Sequence, residues 1–275
     1  NFHVRLNVVM VLGNLVLVEE DNRAGVKEKA YTPAIEMLLK IFDDKSQLEA
    51  IKIPAVQGME RICIIGEPNR DQRLRVAEVL VDELANPAAN TWYQTRLAQA
   101  LGNVGIIHDR QPRPFVVQSL ATVLVDQKRD WQVRAQAAKA LGRAPLDGSI
   151  NVGLISYAIV DLGLQGSNAY NQSITNESTA AASVPYWKDF FITLYFAFQP
   201  VNAAERQAGR GFMLKNKNLT SEAYDTLLPV VRHVIHQESP NLQAIAKEQL
   251  DALADWIGKN TPNDYRVAPT EPPII

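Results

Sequence analysis

The fold is decided by one stretch, Trp131–Ala144, which reads WQVRAQAAKALGRA. Val133, Ala137, Ala140, Leu141 and Ala144 fall on one face at helical spacing. Gln132, Gln136, Lys139 and Arg143 fall on the other. Three more segments carry the same pattern: His3–Leu15 (HVRLNVVMVLGNL), Glu49–Ile62 (EAIKIPAVQGMERI) and Trp92–Val104 (WYQTRLAQALGNV). Aligned on Gly13, Gly58, Gly102 and Gly142, they repeat at intervals of 45, 44 and 40 residues. Leu12, Leu101 and Leu141 precede three of these glycines. Arg5 and Arg134 lie eight residues before theirs, and Ala98 and Ala138 lie four before theirs.

A further amphipathic helix is expected ahead of each later copy, at Thr32–Phe42, Gln72–Leu84 and Pro114–Val125. Ile35, Leu38, Leu39 and Phe42 form one such apolar stripe, and Val76, Val79, Leu80 and Leu84 another. The unit is helix, short turn, helix. Units that recur at a fixed period bury their apolar faces against one another and stack in series. A glycine inside a helix costs about 1 kcal/mol against alanine. Its return at one register therefore marks either a close helix crossing or a helix C-cap.

The string Val133–Gly142 and its copies resemble the HEAT repeat family, and the Leu-Gly ending resembles its phycobilisome-lyase-like branch. The resemblance covers residues 1–165. It implies an all-α, right-handed solenoid of about five to six helix pairs, with the second helix of each pair lining a concave face. Residues 166–260 are expected to hold degenerate helical repeats with long loops, and 261–275 a Pro-rich extended tail. In that region Asn151–Leu164 and Pro185–Phe198 pair as a fifth unit around a polar loop, Gln165–Val184. A last pair, Ser221–His236 and Leu242–Ile257, is separated by Ser239-Pro240, with an N-cap at Thr220-Ser221. The apolar run Val8–Val18 is expected to be a buried helix, too short to span a bilayer. Because the first segment matches only the second half of a repeat, and the chain begins at Asn1, a preceding helix or a covering partner is expected.

Composition narrows the function. The 275 residues carry 28 Lys+Arg against 30 Asp+Glu, a net charge of -2, which argues against a uniformly basic nucleic-acid binder. The one cysteine, Cys63, excludes a disulfide framework, and its apolar neighbours suit an inert buried thiol. Aromatics are 7%, so Ala, Leu, Val and Ile are expected to fill most of the core. There is no phosphate-binding G-x-x-x-x-G-K and no G-x-S-x-G elbow. His233 and His236 stand at i,i+3 and are weak metal candidates. No third His or Cys accompanies them in sequence, and a helix C-terminal pair explains them as well. Deoxyhypusine hydroxylases of the HEAT type use His-Glu pairs to hold iron, and this chain has no His-Glu dipeptide.

These readings point to a non-catalytic scaffold that needs no cofactor and binds a protein or peptide along its concave helices. The candidate contact residues are Gln99, Gln136, Lys139 and Arg143, with Asn7 near an equivalent position. The basic stretch Arg206, Arg210, Lys215 and Lys217 forms a second patch. Arg134 is expected to pair with Asp126 or Asp130. The alternatives are a lyase-like enzyme or enzyme subunit with a pocket in the groove, or nucleic-acid binding through the two basic patches. The compartment is left open between cytoplasm and the bacterial periplasm or exterior.

Overall fold

Helix follows helix along the chain in a computed structural model that describes residues 1–175, 177–238 and 242–274. It divides into two compact units, Asn1–Ser119 and Leu120–Ile275. The fold is all-α apart from one short hairpin among the described residues.

The first unit contains α1 (Phe2–Asn14), β1 (Val16–Val18), β2 (Lys29–Ala30), α2 (Ala34–Asp43), α3 (Glu49–Ile65), α4 (Arg70–Leu84) and α5 (Thr91–Asn103). The periodic segments are these helices, shifted by a residue or a few at their ends. Asparagines start three of them. Asn1 caps α1 and Asn90 caps α5, while Asn69 and Gln72 form a reciprocal capping box on α4. Helix α2 pairs with α3 and α4 with α5, and α3 also packs on α1 and α5. Ile35, Leu38, Phe42, Val56, Met59, Leu80 and Leu97 are buried between them. Each full burial of such a side chain contributes about 1.5–3 kcal/mol.

The glycine register marks close crossings. A Cβ on Gly13 would lie 2.9 Å from the Gly58 Cα, and one on Gly58 would lie 2.6 Å from the Gly13 Cα. Neither residue caps a helix end, since α1 closes at Leu15 and α3 at Gly66.

One expectation fails in this unit. Val8–Val18 is not a buried helix. Val9 and Gly13 are buried, but Val4, Val8, Met10 and Val11 are exposed, and the chain leaves the helix to form β1. β1 pairs antiparallel with β2 and exposes all three of its residues, so it has no inward face to bury.

Helix α6 (Phe115–Val125) spans the boundary between the units. The second unit continues with α7 (Trp131–Arg143), α8 (Val152–Ile174), α9 (Glu177–Phe198), α10 (Ala203–Gln207), α11 (Phe212–Lys215), α12 (Lys217–Ile235) and α13 (Lys247–Lys259). Helix α9 packs along α7, and α8, α9, α12 and α13 pack on one another. Gly142 is again a crossing point, where a Cβ would meet the Ala197 carbonyl oxygen at 2.1 Å.

The polar stretch Gln165–Val184 is not a long loop. Helix α8 runs on to Ile174, and α9 begins at Glu177. Its polar groups find partners inside the fold. Ser167 donates to the Gly163 carbonyl and Ser173 to that of Tyr170. Asn171 exchanges two hydrogen bonds with the Ile245 backbone. Gly166 lets the Phe190 ring approach, since a Cβ there would lie 2.4 Å from the ring edge.

Other boundaries differ as well. The Thr220-Ser221 cap is absent, because α12 starts at Lys217 and buries Thr220. The last helix begins at Lys247 rather than Leu242. Ser239-Pro240 lies outside the described residues. The tail is not free: the Asn151 amide donates to the Val267 carbonyl, and Ile274 donates to that of Tyr265. The aromatics, few overall, gather in this unit. Trp187 meets Trp131, Tyr170, Tyr186 and Phe190 at centroid distances of 5.3–6.4 Å.

Candidate partner-binding face

In the first unit, helices α1, α3 and α5 present one shared surface. A cavity of about 300 Å³ opens on it, lined by Met10 and Asn14 of α1, Gln57, Glu60 and Arg61 of α3, and Arg96 and Gln99 of α5. Gly13 and Gly58 also line it, where α1 and α3 cross. A shallower hollow of about 260 Å³ shares Gln57, Glu60, Arg61 and Gln99 and extends to Ile64 and Ile65.

The polar groups of this face hold one another in place. Glu60 is buried and accepts from Gln99 Nε2 through both carboxylate oxygens, each at 3.0 Å. It also accepts from Asn103 Nδ2 at 2.8 Å. Arg96 donates to the Gln99 side-chain oxygen at 3.0 Å, which fixes the Gln99 amide. Arg61 donates to the Gly13 and Leu15 carbonyls at 3.3 and 3.2 Å and pairs with Glu28 of the hairpin loop. The face therefore has a rigid floor with two cationic side chains at its rim. The expected residue Gln99 lies in it, whereas Asn7 is exposed on α1 outside the cavity lining. Glu60, Arg61, Arg96 and Asn103 were not anticipated. Glu60, Arg61 and Asn103 lie within a helical turn of a register glycine, which is the signal that marks them, whereas Arg96 lies six residues before Gly102 and has no such mark.

The second unit uses its expected contact residues differently. Helix α9 covers the polar side of α7, so that side is not an open groove. Gln132 donates to the Tyr186 carbonyl at 2.7 Å, and Lys139 lies over the Phe196 ring at 5.5 Å. Gln136 is buried, and its Nε2 has no partner among the described residues. Arg143 is 2% exposed and cannot serve as a surface for an acidic partner. It forms a fork-to-fork pair with Glu205 at 3.0 and 2.8 Å and donates to the Phe196 carbonyl at 2.8 Å. Burial alone would raise the Glu205 carboxyl. The Val201 amide and the Arg143 guanidinium outweigh it and hold the group below its ordinary value.

The basic stretch after α9 is not one patch. Arg210 donates to the Arg143 carbonyl, Lys215 Nζ reaches that of Ala144 at 3.4 Å, and the Gly211 amide donates to that of Gly142 at 2.8 Å. These groups cap the C-terminal end of α7, where cations oppose the helix dipole favourably. Arg206, Lys215 and Lys217 remain exposed. Arg134 pairs with neither expected aspartate. It donates to the Leu124 carbonyl and to Gln165, both at 3.0 Å, while Asp126 takes Arg129 and Asp130 caps α7.

His233 closes α12 by bonding the Gln243 carbonyl at 2.9 Å, and His236 is the exposed C-cap of that helix. Among the described residues no group of three or more His, Cys, Asp or Glu is placed to hold a metal ion. Among them, too, no helix is long and apolar enough to cross a membrane. No family model matches this chain, and neither a curated protein nor a solved structure matches it.

Proposed function

We propose that the chain is a HEAT-type α-solenoid that acts as a non-catalytic interaction scaffold, receiving a protein or peptide segment on the face built by α1, α3 and α5. The observation that carries this reading is the network of Glu60, Gln99, Arg96 and Arg61 beneath an open cavity on three successive second helices. A face whose side chains are already fixed by one another binds with little further ordering cost. Arg61 and Arg96 suit a segment that offers backbone carbonyls or a carboxylate. The neighbouring Ile64, 55% exposed, offers an apolar contact beside them.

The test is peptide selection from a displayed random library on the immobilised full chain. Enrichment of a shared motif is expected, with binding lost in Gln57→Trp, which fills the cavity from an exposed position. Absence of enrichment, or binding indifferent to that variant, would overturn the reading.

A further inference from the structure

Helix α1 bears an apolar stripe that no element of its unit covers. Val4, Val8 and Val11 stand at i, i+4 and i+7, on the side of the helix opposite the buried Val9 and Gly13. The three valines are 58%, 48% and 61% exposed. The chain then enters β1, whose residues are also exposed and whose one strand partner among the described residues is β2. Half of the large apolar side chains exposed among the described residues fall within residues 2–18. Such a concentration marks an interface rather than scattered surface residues.

The repeat shows which contact is open. Counted back from the register glycine, the stripe occupies the ninth, fifth and second positions. In α5 these are Tyr93, Leu97 and Ala100, all buried in the helix that packs on α4. In α3 the fifth and second are Ile53 and Val56, buried in the helix that packs on α2. In α7 the three are Val133, Ala137 and Ala140, and again all are buried. Only in α1 does this register face solvent. Its surface is one half of a helix-on-helix contact that the chain completes in its other copies.

The composition of the stripe selects the other half. Three valines at this spacing are their own complement. Turned about a two-fold axis beside Val8, Val4 faces the partner's Val11 and Val8 faces the partner's Val8. The stripe holds no charge to repel itself. The charges beyond its ends differ in sign, with Arg5 at the start of α1 and Glu19, Glu20 and Asp21 after β1. An antiparallel pair sets opposite signs together, whereas a parallel pair sets like against like. The second edge of β1 follows at the end of each stripe and is open to pairing of the same kind.

We infer that α1 and β1 form the interface of a homodimer, in which a second copy of this chain lies antiparallel on the valine stripe. The interface is separate from the peptide-receiving cavity, which α1 lines with Met10 and Asn14 from another side. A helix of 13 residues is about 20 Å long, so the buried area is small and the dimer forms in the micromolar range.

Sedimentation velocity of the full chain from about 1 to 200 µM tests the inference. The weight-average mass is expected to rise from 30.6 kDa toward twice that value. Val8→Asp and Leu17→Lys should each weaken dimerisation about tenfold or more, because each sets a charge against an apolar surface. Met37→Asp, at an exposed apolar position of α2, should leave it unchanged. Mild oxidation gives a second readout that does not depend on the charged variants folding. Val8→Cys should link to itself across the two-fold axis, whereas Met10→Cys, on the cavity side of α1, should not. A constant mass of 30.6 kDa over the whole range, equal weakening by Met37→Asp, or equal cross-linking through Met10→Cys would overturn the proposal.

Discussion

Gly13 and Gly58 meet with no room for a side chain on either, since a Cβ on one would fall within 3 Å of the other's Cα. Alanine gains about 1 kcal/mol of helix propensity over glycine. Overpacking a tight contact costs about 1–3 kcal/mol, and here the obstacle is backbone rather than a flexible side chain. Gly58→Ala should therefore lower the stability of the first unit by about 1–2 kcal/mol net in urea unfolding. Gly13→Ala should cost somewhat less. Once one alanine has parted the helices the second meets less resistance, so the double variant should cost less than the sum.

The Arg143–Glu205 pair makes a second prediction. Glu205→Ala leaves a buried guanidinium without its anion and should cost about 2–4 kcal/mol, at the lower end because the Glu205 side chain keeps some contact with water. Arg143→Met, which removes the buried charge itself, should cost less. Chemical denaturation of both variants checks the order.

The same pair sets a pH dependence. The folded Glu205 carboxyl is held below its ordinary value, so its contribution is complete above the unfolded value of about 4.3 and is lost as pH falls through the folded one. The stability gap between the wild-type chain and Glu205→Gln should be constant from neutral pH to about pH 6 and should close in more acidic solution. Denaturation midpoints measured across that range test it. A gap that widened in acid would contradict the sign.

Cys63 gives a prediction in chemistry. Burial pushes its thiol up to about 11, with Arg73 opposing and Glu60 reinforcing the shift. The native chain should be inert to a thiol-specific reagent at pH 8, and labelling should follow the unfolding curve of the first unit.

How much of this was legible depended on where each residue finds its partner. The helices from α1 to α7 could be read because apolar spacing and the glycine register are local signals. Gln165–Val184 was misread because serine and asparagine signal loops when their partners are local. Here Asn171 is satisfied by the backbone of Ile245, far along the chain. Arg143 was misplaced for the same reason, since Glu205 lies 62 residues away. The hairpin left no trace because β1 exposes every residue and so lacks the alternation that marks a half-buried strand. In the first unit the site was legible through Gln99 alone. Glu60 and Arg96 become meaningful only when α3 and α5 lie side by side.

The indoles of Trp131 and Trp187 join α7 to α9 with their ring centres 5.9 Å apart and their planes inclined at 55°. Chromophores so near and so inclined couple their electronic transitions and give a paired circular-dichroism band in the ultraviolet. The second unit thus carries its own optical gauge of the α7–α9 crossing, readable in the unlabelled chain. Loosening that crossing, for example by placing a methyl group at Gly142, should dim the band before the helices themselves melt.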